Sequence, residues 1–304
     1  MERRFLKIII FTSLLITSCQ QIPINESNKK FVGDNIDKQN LEIDLKKQEK
    51  IISYHSDIWS YILANSSYTS DSLDEQTLMY MNRHLQDLDK FKEFLNDSYY
   101  FMFFVIEELE NAKLPIELAF LPYIESNYDP LSISSSGAVG MWQFMPRTGR
   151  TYDLERSWWN EDRHDPFKST TAAIKYLKYL YERFDQDLYL TLAAYNAGPS
   201  FLDRQIKRNQ RRGLNTDYWS LDLPIQTRNY VPKFIAIKEL IINSDQYDIE
   251  LPFIPYEPVV AKIEIPGQVE ILTLSEYLNI KPELLYKLNA GYTKWASAPS
   301  EKSV

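Results

Sequence analysis

Between Leu114 and Glu125 the chain reads LPIELAFLPYIE, apolar almost all the way round a helix. Ile116, Ala119, Phe120, Tyr123 and Ile124 recur at i, i+3, i+4, i+7 and i+8, and Leu118, Leu121 and Pro122 make a second stripe. A helix without a polar face must be enclosed by other elements. Pro115 suits its first position. Glu125 continues the second stripe at i+7 from Leu118, so the last helical turn carries a carboxylate to the edge of the core.

The flanking sequence supplies the enclosure. SYYFMFFVIEELENAK (98–113) has a dense apolar face and a charged last turn. STTAAIKYLKYLYERF (169–184) opens on a Ser/Thr cap with Ala173, Ile174, Leu177, Leu180 and Tyr181 along one side. LYLTLAAYNAGPS stops at Gly198-Pro199, and NYVPKFIAIKELII (229–242) is a last long helix. Strand-like alternation is scarce before residue 250, so the body reads as mainly α. The three prolines of LPFIPYEP (251–258) mark a linker. Beyond it VVAKIEIPGQVEILTLSEYLNIKPELLYKLNAGY reads as strand, helix, turn, helix, a small α+β module.

The N-terminus, MERRFLKIIIFTSLLITSCQ, joins a basic start to an apolar run, Ile8 to Ile16, too short to span a bilayer. Residues 1–18 read as a signal peptide. ITSC resembles a lipoprotein cleavage box, which would place the lipid on Cys19, the only cysteine; Gln20 after it resembles outer-membrane sorting. Residues 19–55 are polar and read as a tether. The expected location is therefore the outer membrane, facing the periplasm. The chain then divides into a helical body over 56–250, with its core at 98–245, and the linker and module over 251–304.

Composition excludes several function classes. Net charge is −8, and removing residues 1–18, which carry +2, leaves −10, against a nucleic-acid partner. His55, His84 and His164 stand far apart with no metal-ligand spacing, so no metal is expected. Eight glycines form no phosphate-cradling loop, and no cofactor is expected. Arg204, Lys207, Arg208, Arg211 and Arg212 form a basic stretch that reads first as a solvated helix face. Trp158, Trp159, Tyr176, Tyr179 and Tyr181 read first as packing residues.

For Glu125, a helix C-terminus and apolar neighbours both disfavour ionisation. The pair of effects suits a general acid for glycosidic cleavage. Directly after it, SNYDPLSISSSGAVGMWQFMPRTG offers hydroxyls, glycines and, at Trp142, an aromatic plate for a ring-shaped polar ligand.

Four short motifs follow in order: ES (Glu125-Ser126), GMWQ (Gly140 to Gln143), AAYNAG (Ala193 to Gly198) and TRNYV (Thr227 to Val231). Together they resemble the lytic transglycosylases that cleave bacterial peptidoglycan on a goose-lysozyme-like helical fold, most closely the membrane-bound type D. The similarity extends from DIW at Asp57 through RSWWNEDRHDPFKSTTAA to about Pro299. The resemblance implies a lysozyme-like catalytic domain with Glu125 as the single acid and base, cleaving between N-acetylmuramic acid and N-acetylglucosamine to leave a 1,6-anhydro end. It implies that Ser134 contacts an N-acetyl group. Ser126, Met141, Gln143 and Met145 would line the groove, Tyr195 would hold the Glu125 carboxylate beside Asn196, and Tyr230 would flank the pocket. Gln226 stands where many members have Glu. LSEYLNIKPELLYKLNAGY resembles a degenerate LysM repeat. The partners implied are peptidoglycan glycan strands and, through the lipid, a membrane. Two rival readings stay open: a hydrolytic muramidase using Asp129, Asp153, Glu161, Asp162 or Asp165 to position water, and a non-catalytic cell-wall-binding lipoprotein.

Overall fold

The computed structural model describes residues 8–11, 57–66, 73–263 and 267–299. Cys19, the tether and most of the signal-like segment lie outside these residues. Helices dominate the described body: α1 (Ile58–Asn65), α2 (Glu75–Leu85), α3 (Leu88–Asn96) and α4 (Met102–Ala112) come first. Asp57, Asp74 and Asp87 cap α1 to α3 through their side chains, supplying acceptors to otherwise orphaned N–H groups.

The apolar run is buried as expected, but it is not one helix. Ile116–Phe120 form a 3-10 turn and Leu121–Glu125 a short α5. Pro122 has no N–H to give to Leu118, so the regular ladder is interrupted at that point. Residues 116–123 are all buried.

Then come α6 (Pro146–Thr151), α7 (Pro166–Arg183), α8 (Leu188–Ala197), α9 (Pro199–Arg211), α10 (Ile225–Arg228) and α11 (Tyr230–Ile242). The cap of α7 is Asp165, whose Oδ1 accepts from the N–H groups of Phe167 and Lys168 at 2.9 Å each. Ser169 and Thr170, expected at the cap, lie instead on its buried face, because Pro166 starts the helix one turn earlier. Gly198, at φ +86°, ends α8, and Pro199 opens α9. The largely buried α11 packs against α2, α8 and α5, and α4 packs against α7.

The proline-rich 251–258 segment is stitched to the body. Trp59 Nε1 donates to the Pro252 carbonyl at 2.6 Å and the Ile58 N–H to that of Ile254 at 2.8 Å. Extended, proline-rich chain leaves carbonyls free for such donors. β2 (Val260–Ile263), α12 (Ile271–Leu278) and α13 (Pro282–Leu288) follow. The strand β1 (Ile8–Phe11) pairs with β2 in parallel, Ile8 opposite Val260. Sequence reading expected no strand there, but an isoleucine-rich run has high strand propensity and β2 offers it an edge.

Residues 291–297 close this small unit and dock it. The Ile271 N–H donates to Trp295 and the Ser297 N–H to Val269, both at 2.9 Å. Across to the body, the Glu161 N–H donates to Gly291 at 2.8 Å and the Thr293 N–H to Trp159 at 2.9 Å. Gly291 faces Asp165 so closely that an added Cβ would stand 2.9 Å from the Asp165 Cβ.

Candidate active site

Glu125 ends α5 and the chain turns sharply after it. Asn127 and Tyr128 both take left-handed backbone, φ 58° and 56°. Two such residues in succession are costly and persist only where packing holds them. Here Tyr128 is fully buried and its hydroxyl donates to the Ala119 carbonyl at 2.6 Å. The turn thus leaves the half-buried Glu125 at the lip of the core.

A second loop closes against it. Gly140 has φ +81°, and a Cβ there would stand 1.9 Å from the Arg163 carbonyl oxygen, so only glycine fits. Val139 and Phe144 exchange backbone hydrogen bonds across the loop at 3.1 and 3.0 Å. Arg163, itself buried, braces the loop by donating from Nη1 to the Phe144 carbonyl at 3.0 Å and the Gly137 carbonyl at 3.2 Å. Its other guanidinium nitrogens grip both oxygens of Glu161 at 2.9 Å. Desolvation pushes the Glu161 carboxyl up, but the Arg163 hydrogen bonds and charge more than offset it and leave it below the usual range.

Most of the expected site residues converge on this loop. Ser126 Oγ donates to the Met141 carbonyl and the Tyr195 hydroxyl to the Trp142 carbonyl, each at 2.8 Å. Gln143, at φ 48°, donates from Nε2 to the Gly140 carbonyl at 2.8 Å. Thr227 Oγ1 donates to Asn196 Oδ1 at 2.9 Å, joining the third motif to the fourth.

Three expectations change. Tyr230, not Tyr195, donates its hydroxyl to Glu125 Oε1. Tyr195 tilts over Tyr176, with ring centroids 5.3 Å apart, and its hydroxyl is taken by Trp142. Trp142 is no exposed plate but fully buried, its Nε1 donating to Thr170 Oγ1 at 2.8 Å. The Met141 side chain is likewise in the core, so only its carbonyl faces the site residues. Met145 is exposed, as is Gln226. Ser134 lies at the tip of the 132–140 hairpin, where its Oγ accepts the Ala138 N–H at 2.9 Å. Sequence reading missed Lys233, one turn along α11 from Tyr230; the i+3 spacing was its only signal.

Burial pushes the Glu125 carboxyl up to about 7, against the Tyr230 hydrogen bond and the Lys233 charge, which both pull it down. Tyr195 and Tyr230 are pushed well above the phenol range, by burial first and then by the Glu125 charge. No carboxylate figures among the groups that shift Glu125. Of the alternative acids, Glu161 is engaged by Arg163, Asp162 by Lys168 at 2.8 Å and Asp165 as a helix cap, while Asp129 Oδ1 accepts the Leu131 N–H at 2.9 Å. Such a group can hold a proton near neutral pH and release it again. Among the described residues no cluster of His, Cys, Asp and Glu could hold a metal ion, and no helix is long and apolar enough to cross a membrane.

Comparison with known proteins gives a family match, "Transglycosylase SLT domain", over residues 103–217. The chain is 33% identical over 258 residues to membrane-bound lytic murein transglycosylase D of Escherichia coli (strain K12), covering 82% of this chain and 55% of the relative. It is 33% identical over 108 residues to membrane-bound lytic murein transglycosylase F of Alcanivorax borkumensis, covering 34% and 22%. The chain thus spans about half the length of the first relative. Among solved structures, the 70 kDa soluble lytic transglycosylase of Escherichia coli aligns over 58% of this chain and 31% of its own, at 20% identity and a TM-score of 0.40.

Proposed function

We propose that this chain, which matches the transglycosylase SLT domain over residues 103–217, is a peptidoglycan lytic transglycosylase with Glu125 as its one catalytic carboxylate. The observation that carries the reading is a half-buried Glu125 raised to about 7, with Tyr230 and Lys233 as its polar partners. Ordinary glycosidases need two carboxylates flanking the bond. One suffices when it works twice.

In the proposed cycle Glu125 protonates the oxygen bridging N-acetylmuramic acid and N-acetylglucosamine, and the C1–O bond breaks. The 2-acetamido group of the substrate stabilises the positive charge at C1. Glu125, now ionised, takes the proton from the C6 hydroxyl, whose oxygen bonds to C1 and forms the 1,6-anhydro ring. Water is neither consumed nor released. Tyr230 keeps the carboxylate aimed through both steps. Tyr195 and Ser126, by fixing the carbonyls of Trp142 and Met141, hold the loop that forms one wall. Gln143, Met145, Asn196, Ser134 and Gln226 are assigned to substrate contact. The names of the relatives and the segment at 1–18 support a place in the cell envelope, with Cys19 as lipid attachment point and a LysM-like module within residues 251–304.

Mass spectrometry of sacculus digests tests the reading. Wild-type protein is expected to release muropeptides one water lighter, ending in 1,6-anhydro-muramic acid, and Glu125→Gln none. Reducing ends would replace the proposal with a hydrolytic muramidase. Binding to sacculi without release by wild-type protein would leave a cell-wall-binding protein.

A further inference from the structure

A cavity of about 250 Å³ opens at Ile124 and Lys233, next to Glu125 in the chain and to Tyr230 on α11. Tyr80, Arg83 and His84 of α2, Phe94 of α3, Tyr123 and Ile124 of α5, and Lys233 and Ile237 of α11 line it. Its place follows from helix phase. Tyr230, Lys233 and Ile237 stand at i, i+3 and i+7, so one face of α11 delivers Tyr230 to Glu125 and the next two residues into the cavity. Ile124 shares the short helix with Glu125. The two sites are about one helical turn, roughly 5.4 Å, apart along α11.

The charge in this cavity is of one sign. Arg83 and Lys233 lie over the same Tyr80 ring, 5.3 and 5.5 Å from its centroid. Neither forms an ion pair with a carboxylate among the described residues, and no acid lines the cavity. His84 adds no charge, because burial first and Arg83 second hold it below the usual imidazole range among the rings of Phe91 and Phe94. The remaining wall is apolar or aromatic. Two cations over an aromatic floor, one of them Lys233 at the edge nearest Glu125, fit a small carboxylate carried on a few carbon atoms.

The basic stretch on α9 has no such shape. Arg204, Lys207, Arg211 and Arg212 are exposed and line no cavity described here, and Arg208 is paired with Asp222.

We propose that the cavity formed by Tyr80, Arg83 and Lys233 is a subsite for a carboxylate of the peptide arm of the glycan, making stem-bearing strands the preferred substrate. This rests on the reading of Glu125 as acting on peptidoglycan, whose sugar chain carries short acidic peptides. A carboxylate held there would lie about one helical turn from Glu125, within reach of a short peptide arm on a sugar seated at that residue.

Two measurements test the subsite. Glu125→Gln protein is titrated with a stem-bearing muropeptide and with the same saccharide stripped of peptide, and the experiment is repeated with Arg83→Gln and Arg83→Lys added. The stem-bearing ligand is expected to bind about tenfold more tightly, a preference lost with Arg83→Gln and largely kept with Arg83→Lys. In wild-type protein the ratio of kcat/KM on stem-bearing to stem-free glycan should fall about tenfold on Arg83→Gln. Equal binding of both ligands, or a fall of both rates in step, overturns the subsite while leaving the catalytic reading intact. Peptide-dependent binding in a protein that cleaves neither substrate would overturn the catalytic reading and keep the subsite.

Discussion

At the scale of single residues, Glu125 is placed where ionisation is costly, and two consequences can be measured. The proposed cycle starts from the protonated form, so kcat/KM is expected to fall as pH rises through about 7. Tyr230→Phe removes a hydrogen bond that favours the carboxylate. The alkaline limb should therefore move upward while the maximal rate drops, which a pH–rate profile reads directly. Stability follows the same sign. A folded value raised above the unfolded one stabilises the fold below the unfolded value, and that stabilisation is lost as pH rises through about 7. Glu125→Gln should then be more stable than wild type at pH 8, by about 2 kcal/mol after allowance for partial exposure, and no more stable at pH 4. Urea titrations at the two pH values decide it. Glu125 was legible in sequence because an all-round apolar run marks burial without any partner being known. Which tyrosine holds it was not. Tyr195 and Tyr230 both approach the carboxylate, and only the relative rotation of α8 and α11 determines whose hydroxyl arrives.

At the scale of elements, one wall of the candidate site is a loop braced from behind. Gly140 and the buried Arg163 are its two fixings, one by having no side chain and the other by having a long one. Gly140→Ala should cost more than about 2 kcal/mol, since both the left-handed backbone and the Arg163 carbonyl oppose a Cβ. Arg163→Met would leave the buried Glu161 with only the exposed Arg156, 3.5 Å away, as a cationic partner, at a cost of about 3 kcal/mol in thermal or urea unfolding. Helix positions were well marked by apolar spacing, and Gly198-Pro199 marked the α8–α9 boundary. The brace was not marked, because a charged RHD triplet reads as surface until a loop twenty residues earlier folds over it. Trp142 misled for the converse reason: among serines and glycines it resembles an exposed plate, yet the loop turns it into the core. Trp158 reversed the expectation in the other direction, 73% exposed with Lys294 Nζ 3.9 Å above its ring.

At the scale of the whole molecule, the region after residue 250 and the helical body are one packed object. The hydrogen bonds from Trp59 and Ile58 to 252–254, and those of Glu161 and Thr293 across the junction, tie both ends of that region down. Ending the chain at residue 250 is expected to lower the melting temperature by about 5 °C or more, and the longer chain should unfold in one calorimetric transition. Two separate transitions would show that the parts fold independently. Proline-rich composition suggested a free connector because proline breaks helices; composition is silent on where the freed carbonyls find donors. The tight seat of Gly291 on Asp165 has a consequence for descent. A cassette on a loose tether can be traded between genes at any point along the tether. Here a foreign cassette would have to present bare backbone to the cap of α7 and the right amide and carbonyl to the backbone of residues 159–161. The segment and the helices beneath it are therefore expected to change together, since a substitution on one side of this seat must be met on the other.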